Sequence, residues 1–437
     1  MNNVMPQTSP LFDEYGYPLR PNSQRTLRNL AVRMSKRLLL LGIYGLLSLL
    51  GAIIQLGGRG KQYQPLTPAT FQPRRILIIR VDLIGDLVMS LTAVRILKKT
   101  YPEAEIDLIA VPSSAKVVAS DPDIAQIIAY DPNIWRRPKA LLQWRNWRNL
   151  FALRQRLHSR HYDLAINLFG TWASGLTLLS GASRRLGFSH ENYPGFLTDI
   201  VTGQHWDSND HKHEVDYCLA LAQAAGATIT PDDRIPHLTV DLQAEQLLRQ
   251  EGVQADRPLI ACHVGSNNGQ SKRWPVPYWA TLIDRLIQKD GLQVVLTGTP
   301  DDIPLILDIT RRMHEQPLNL AGKTSLTQLA ALYKRADLLV TGDSGPMHIA
   351  AAVGTPLIAI HGPTDPALSG PVSPTATILR STIWCSPCYN AKGPADCRFH
   401  TTQCMKDITP TQVYEVIRQK KRDGRPQGIT PTIHAHP

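Results

Sequence analysis

The chain has 437 residues, enough for roughly two or three domains. Hydrophobic residues make up 43% and charged residues 19%, which is typical of a globular protein and excludes a disordered one. The formal net charge of +11 favours an anionic partner, and nucleic acid, an anionic membrane surface and phosphorylated small molecules all qualify.

An uncharged, mostly apolar run occupies residues 38–58, within an N-terminal tail that we assign to residues 1–73. About 20 apolar residues can cross a bilayer as a helix, so this run is just long enough. Three interpretations stay open: a spanning anchor, a helix lying in the membrane interface, and a hydrophobic helix packed on the protein. The run begins too late, and without a suitable cleavage site, for a secretory signal.

From residue 74 onward, short β-rich runs alternate with amphipathic helical patterns. Strands are predicted at 75–81, 106–111, 127–130 and 163–169. Helices are predicted at 86–99, 141–158 and 213–225, and we interpret His211, Lys212 and His213 as the solvated start of the last one. Such alternation predicts a parallel sheet with helices on both faces.

A segment rich in proline and aspartate at 231–236 marks the approach to a linker, after which the pattern restarts. Strands are predicted at 259–264, 292–297, 338–341 and 356–361, with a helix at 278–288. We therefore predict two α/β domains at 74–236 and 237–425, followed by a flexible tail at 426–437. Two successive units of this kind place a ligand in the cleft between them, at the carboxyl ends of strands.

Three turns of the second half follow strands and are rich in Gly, Asp, Ser and Thr. They read HVGSNNG at 263–269, which includes Ser266, GTPDD at 298–302 and GDSGPMH at 342–348. Such turns leave helix N-terminal amides free to face an anion. Any one of them alone is by default a structural turn, but three of them near Lys272 favour a diphosphate site. None matches the dinucleotide or P-loop fingerprint.

A basic stretch from Trp135 to Trp147 interleaves tryptophan with arginine and lysine. Such interleaving is found in nucleic-acid-binding proteins, but no recognised motif accompanies it, so we expect no nucleic acid. The pattern fits an anionic lipid surface better, with tryptophans at headgroup depth. A plain exposed helix remains the alternative.

Four of the six cysteines cluster near the C-terminus, at Cys385, Cys388, Cys397 and Cys404. The first two form a C-x-x-C pair, which is a common half-site for zinc. The second pair is spaced more widely, so the match to a zinc site is partial. A structural zinc ion and plain structural thiols are both open interpretations.

Two segments resemble glycosyltransferase family 9, the ADP-heptose:lipopolysaccharide heptosyltransferases. The sequence IRVDLIGD at 79–86 is similar to the start of that family, and LVTGDSGPMHIAA at 339–351, continued by VGTPLIAIHGPTD at 353–365, is similar to its second signature. The resemblance covers residues from about 74 to about 417. It does not cover the apolar run at 38–58.

The resemblance implies an α/β protein with the GT-B fold, in which two Rossmann-like domains face a cleft. The N-terminal domain would take a glycan or glycolipid acceptor, lipopolysaccharide-like or from another cell-surface glycan, and the C-terminal domain an ADP-heptose-like nucleotide sugar. Family catalysis inverts the anomeric centre and needs no metal or other cofactor. We expect the enzyme at the cytoplasmic side of the inner membrane, because nucleotide sugars are made in the cytoplasm.

The resemblance also implies roles for individual residues. Asp86 matches the proposed catalytic base, and Lys272 matches the phosphate-binding lysine before a Trp-Pro pair. The expected substrate-binding residues are Ser266, Lys272, Asp302, Gly342, Asp343, Ser344, Gly345 and His348, with Asp302 placed at the ribose.

Glycosyl transfer needs a base for the acceptor hydroxyl and cations or amides for the departing diphosphate, and these residue types suit both needs. Alternatives remain for three assignments. Asp86 could serve only as a helix N-cap, Asp82 is a rival base, and Arg273 could replace Lys272 at the phosphate. A nucleotide-sugar epimerase and a non-catalytic sugar-nucleotide-binding protein are the competing functions.

Overall fold

The computed structural model describes Leu49, Ile53 and residues 65–422, apart from 171, 190–193, 204–211, 241–247, 255, 267–269 and 390–396. The apolar run at 38–58, except for Leu49 and Ile53, and the tail at 426–437 lie outside these residues. Among the described residues, no helix combines the length and the apolar character needed to cross a membrane.

Six parallel strands form a sheet in the first half of the chain. They are β1 (Arg75–Arg80), β2 (Glu105–Ala110), β3 (Gln126–Ala129), β4 (Leu164–Phe169), β5 (Arg184–Phe188) and β6 (Asp199–Val201). The central strand β1 is buried from its second residue onward, and Ile78 pairs in register with Leu108 and Ile166. Continuous apolar sequence is what a strand covered on both faces requires.

A second parallel sheet of six described strands follows. Its strands are β7 (Leu259–His263), β8 (Gln293–Thr297), β9 (Leu318–Asn319), β10 (Leu338–Gly342), β11 (Leu357–His361) and β12 (Ala376–Arg380). Strands β7, β10 and β11 are buried along their whole length. The predicted pair of α/β units is confirmed.

Helices cover both sheets. The described α-helices are α1 (Ile84–Thr100), α2 (Pro112–Ala115), α3 (Trp144–Ser159), α4 (Ala173–Leu179), α5 (Glu214–Ala224), α6 (Val276–Gln288), α7 (Ile303–Arg311), α8 (Leu326–Arg335), α9 (Gly345–Ala352), α10 (Pro366–Ser369), α11 (Gln403–Lys406) and α12 (Pro410–Arg422). Short 3₁₀ turns occupy Lys116–Val118, Pro132–Arg136, Pro138–Leu142, Pro194–Phe196, Pro231–Arg234, Gln270–Lys272 and Pro300–Asp302.

Both sheets have the same strand order. The first runs β3-β2-β1-β4-β5-β6 and the second β12-β11-β10-β7-β8-β9, which is the same Rossmann order read from the other edge. In such sheets ligands bind outside the carboxyl ends of the strands, where the order reverses. Those points lie between β1 and β4, and between β7 and β10.

One hydrophobic cluster continues from the first domain into the second. It contains Leu87 and Leu91 of α1 together with Met347 and Ala351 of α9, all of them buried. Helix α1 packs directly against α9. The two domains therefore meet through apolar contact. The N-termini of α1 and α9 lie next to each other at this contact.

Candidate active site

The first turns of α1 and α9 lie against each other between the domains. A Cβ built on Gly85 would lie 2.7 Å from Cδ2 of His348, and one built on Gly345 would lie 3.2 Å from Cβ of Ile84. Only glycine permits so close an approach at Gly85. The residue after it, Asp86, thus stands beside the helix start that the sequence assigns to the donor.

A methyl group at Gly85 is expected to lower stability. Gly85→Ala should reduce the free energy of unfolding by roughly 1–3 kcal/mol, because the methyl overlaps the buried ring of His348. The matched control is Gly175→Ala in α4, where nothing lies within 4 Å, and there a gain of about 0.5–1 kcal/mol is expected. Urea titration of both variants measures the difference, and equal unfolding curves would contradict the close contact.

A buried arginine organises the carboxylates at the end of β1. Arg80 is 1% exposed, and its Nη1 donates to Oε1 of Glu214 at 2.8 Å. Its Nη2 lies 3.6 Å from Oδ1 of Asp86, and its Nε lies 3.5 Å from Oδ2 of Asp82. The guanidinium also lies 5.6 Å from the ring centroid of Phe169. One buried cation therefore faces three acidic side chains.

Asp86 lies in the first turn of α1 but is not its N-cap, which is Leu83. Its carboxylate accepts a hydrogen bond from the Leu83 amide, and the Asp86 side chain is 27% exposed. Burial raises the pKa of Asp86 to about 7; Arg80 opposes the rise, while Asp82 and Glu214 add to it. A partly exposed carboxyl with a pKa near neutrality suits a general base.

Glu214 and His213 open helix α5, and the structure corrects our interpretation of His213, whereas Lys212 is exposed as expected and His211 lies outside the described residues. His213 is buried rather than solvated. Its Nδ1 accepts from the amide of Val215, and its Nε2 lies 3.1 Å from the carbonyl oxygen of Gly370. Glu214 is 1% exposed and reaches Arg80 from the same helix start. The buried N-terminus of α5 thus places the Glu214 carboxylate beside Arg80 at the end of β1.

Lys272 and Asp343 form a buried ion pair below the start of α9. Nζ of Lys272 donates to Oδ2 of Asp343 at 2.7 Å and lies 4.3 Å from the ring centroid of Tyr389. Burial acts to raise the pKa of Asp343, but Lys272 and His361 outweigh it, and the pKa stays below its usual value. Lys272 has three donor hydrogens, so donors remain for an anion beside this pair.

Helix α9 begins at Gly345, with Ser344 as its N-cap. Oγ of Ser344 lies 3.2 Å from Oγ1 of Thr341. His348, on the first turn, is buried, and burial lowers its pKa to about 4. It is therefore neutral near pH 7, and it lies at the contact with Gly85. The amides at the first turn of a helix are the groups that can bind an anion.

Asp302 is buried at the 3₁₀ turn that follows β8. Its Oδ2 accepts from the amide and the hydroxyl of Thr299, at 2.9 and 2.7 Å, and it is 1% exposed. A Cβ on Gly265 would fall 2.4 Å from the same oxygen. Arg273 approaches Asp302 at 3.6 Å and donates to the carbonyl of Ser266 at 3.4 Å. Arg273 thus supports the Gly265 turn, whereas Lys272 lies in the pair with Asp343.

The segment that contains the cysteine cluster lies beside Lys272. The amides of Cys388 and Tyr389 both donate to the carbonyl of Pro363, at 2.9 and 2.8 Å, which places the Tyr389 ring beside Lys272. All four cysteines are described and free, and Cys404 is buried. In the described part of the chain, no three His, Cys, Asp or Glu residues are arranged to hold a metal ion. The zinc interpretation of Cys385, Cys388, Cys397 and Cys404 therefore has no support here.

The sequence model of "Glycosyltransferase family 9 (heptosyltransferase)" matches residues 150–398, more than half of the chain. The chain belongs to glycosyltransferase family 9. It is 31% identical to "Lipooligosaccharide heptosyltransferase 2" of Haemophilus ducreyi, over 79% of this chain and 99% of that one. It is 30% identical to "Lipopolysaccharide heptosyltransferase 2" of Escherichia coli, over 78% of this chain and 97% of that one.

Solved structures of the family share this fold. "E. coli ADP-heptose lps heptosyltransferase II" is similar with a TM-score of 0.62 and 28% identity, over 79% of this chain and 98% of that one. "E. coli heptosyltransferase WaaC with ADP" has a TM-score of 0.61 at 19% identity, a likeness of fold alone. The family 9 chain is therefore a GT-B glycosyltransferase, as its two signatures predicted.

In this family 9 chain the structure forms two groups from the predicted residues. Asp86, Gly345 and His348 lie at the contact between α1 and α9, and Lys272 pairs with Asp343. Sequence reasoning missed Glu214 and Tyr389. Glu214 follows a histidine at a helix start, and that dipeptide was the available signal of a buried cap. Tyr389 follows the C-x-x-C pair directly, but nothing in the sequence points from it to Lys272.

Proposed function

We propose that this glycosyltransferase moves a heptose or a related sugar from an ADP-heptose-like nucleotide sugar to a lipopolysaccharide-like glycan acceptor. The reaction inverts the anomeric centre and uses no metal. The observation that carries the proposal is the contact between Gly85 and His348, which sets Asp86 beside the start of α9. The names of the similar heptosyltransferases support the sugar and the acceptor.

The chemistry follows from that placement. Asp86 accepts the proton of an acceptor hydroxyl as its oxygen bonds to the anomeric carbon of the donor. The bond from that carbon to the diphosphate oxygen breaks on the opposite face, and its electron pair stays with the diphosphate. Lys272 and the free amides near Ser344 and Gly345 stabilise the charge that develops there. Attack opposite the leaving group produces inversion.

On the same basis we propose a role for each of the two domains. Residues 74–236 carry Asp86 and would bind the acceptor; residues 237–425 carry Lys272 and Asp343 and would bind the donor through the remaining turn residues, Ser266, Asp302, Gly342, Ser344, Gly345 and His348. The acceptor is lipid-linked, so we place the enzyme on the cytoplasmic side of the inner membrane. Nucleotide sugars are available on that side.

A transfer assay tests the proposal. The purified chain is incubated with a panel of ADP- and UDP-sugars and a heptose-deficient lipopolysaccharide core, with and without EDTA. Transfer from ADP-heptose, unchanged by EDTA and giving a product of inverted anomeric configuration by NMR, is the expected result. Retained configuration, or conversion of the nucleotide sugar to an epimer without acceptor, would overturn it.

The pKa of Asp86 is expected to set the pH dependence of transfer, and the Glu214 carboxylate contributes to that pKa. Asp86 must be deprotonated to act, so kcat/KM should rise with pH through a pKa near 7. Glu214→Gln removes a neighbouring negative charge, and because that charge raises the pKa of Asp86, the acid limb should move to lower pH. The control is Asp199→Asn, which breaks the Arg184 pair of the same domain and should leave the limb in place. If the acid limb of the pH profile does not shift in Glu214→Gln, the proposed electrostatic coupling between Glu214 and Asp86 is wrong.

A further inference from the structure

We propose that helix α3 docks the acceptor domain on an anionic lipid surface through an exposed aromatic-basic face. This face consists of Leu142, Trp144 and Phe151 with the guanidinium groups of Arg145 and Arg148. The inference deepens the proposed function, since it rests on a lipid-linked acceptor and names the surface that meets the lipid.

The apolar members of the face are exposed to an extent that packing does not explain. Leu142 is 87% exposed, Trp144 is 71% exposed and Phe151 is 57% exposed. Trp144 and Phe151 are seven residues apart (151 − 144), about two helical turns, so they lie on one side of α3. Leu153 follows Trp144 by about two and a half turns and faces the opposite side, where it is buried.

The segment of the chain that carries this face has formal charges of one sign. Residues 132–162 contain eight lysines and arginines and no aspartate or glutamate. Arg145, Arg148, Arg154 and Arg156 of α3 are exposed, as are Arg136 and Arg137 just before it. Apolar aromatic side chains among exposed cations match the headgroup region of a membrane that contains anionic lipid. A protein partner would need a matching acidic, apolar surface, whereas a lipid bilayer supplies both features.

Side chains below the face hold it rigidly. Trp135 and Trp147 pack with ring centroids 5.0 Å apart. Nε1 of Trp147 donates to the carbonyl of Leu141 at 2.8 Å, and Nδ2 of Asn146 donates to the carbonyl of Ala140 at 3.0 Å. These bonds fix the 3₁₀ turn that carries Leu142 onto the start of α3. The two inner tryptophans are therefore structural, and Trp144 is left facing outward.

The face belongs to the domain that carries the proposed base. Leu153 and Leu157 pack into a cluster with Leu77 and Ile79 of β1, the strand that ends at Arg80. Docking through α3 would hold the carboxyl ends of that sheet at a fixed distance from the lipid. A glycolipid acceptor could then reach Asp86 while its lipid part stays in the bilayer.

Quenching of tryptophan fluorescence by brominated lipid tests the proposal on the full chain. The apolar run at 38–58 contains no tryptophan, so insertion of that run alone gives no direct quenching. With equimolar phosphatidylglycerol and phosphatidylcholine, Trp144→Phe is expected to lose most of the lipid-dependent quenching. Trp384→Phe is the matched control, because Trp384 is 79% exposed in the other domain, and it should quench like the wild type.

Two further variants test the apolar and charged parts separately. Leu142→Ser with Phe151→Ser, and Arg145→Glu with Arg148→Glu, should each reduce quenching of Trp144, the second pair most strongly at low salt. Undiminished quenching in Trp144→Phe, equal quenching by phosphatidylcholine alone, or a Trp144 response to single-stranded RNA but not to lipid would overturn the proposal.

Transfer to a lipid-free core acceptor separates this proposal from the proposed function. The serine pair should keep the wild-type rate with that acceptor and lose rate only when the acceptor is embedded in vesicles. Quenching of Trp144 by lipid without any sugar transfer would support the docking surface and refute the proposed reaction. Equal losses with both acceptors would refute the docking surface, because the effect of the serine pair would then not depend on the membrane.

Discussion

An Asp86→Asn variant is expected to transfer sugar with a kcat lower by about 10²–10⁴-fold, the range of a lost general base. The amide cannot accept the hydroxyl proton, yet it keeps the shape of the side chain. Arg80 keeps its 2.8 Å bond to Glu214, so the end of β1 should stay folded. Donor binding should be nearly unchanged, because Lys272 and Asp343 lie on the other domain.

Titration calorimetry with the donor and steady-state transfer rates measure the two effects separately. The matched control is Asp82→Asn, which removes the rival base at the same arginine, 3.5 Å from its Nε. We expect that variant to keep most of its kcat. Near-normal transfer in Asp86→Asn, with a large loss in Asp82→Asn, would reassign the base to Asp82.

Replacing Lys272 with methionine is expected to impair both transfer and stability. Loss of one preorganised donor to the developing diphosphate charge costs about 10²–10³-fold in kcat. The substitution also leaves Asp343 as a buried carboxylate without its ammonium partner, and breaking such a pair costs roughly 3–5 kcal/mol. The side chains are 10% and 9% exposed, so water offers little compensation.

A double variant separates these effects. Lys272→Met with Asp343→Asn removes both charges, so thermal stability should return towards that of the wild type while transfer stays impaired. Lys323→Met is the control, since that side chain is 57% exposed in the same domain, and it should change stability by less than about 1 kcal/mol. If the double variant recovers transfer as well, Lys272 acts only through folding and has no role at the diphosphate.

The central strands were predictable because each is a continuous apolar run, as strands β1, β4, β7 and β10 show. Strands β5, β6, β9 and β12 were not predicted. Strand β5 begins with Arg184 and Arg185, and the first of these is buried and pairs with Asp199 of β6. Strand β9 has two residues, too few for any period. Their identity as strands depends on neighbours distant in the chain.

Some features of the candidate site were also predictable from the sequence, and others were not. Asp86 and the turn at 342–348 were predictable because each follows a strand directly, and the carboxyl ends of strands are where ligands bind. Glu214 contacts Arg80 across 134 positions, and local sequence carries no information about that contact. The pKa of Asp86 near neutrality depends on the same long-range cluster. The candidate residues were thus predictable from the sequence, while the electrostatic environment around them was not.

The apolar contact between α1 and α9 has a consequence for how substrates enter and products leave. Wide separation of the two domains would bring Leu87, Leu91, Met347 and Ala351 into water. Such exposure costs about 25 cal/mol for every square ångström of apolar surface. Rotation of one domain over the other, with these helices as the axis, avoids that cost. The turnover cycle should therefore proceed by a twist about α1 and α9, with the residues farthest from that axis moving most.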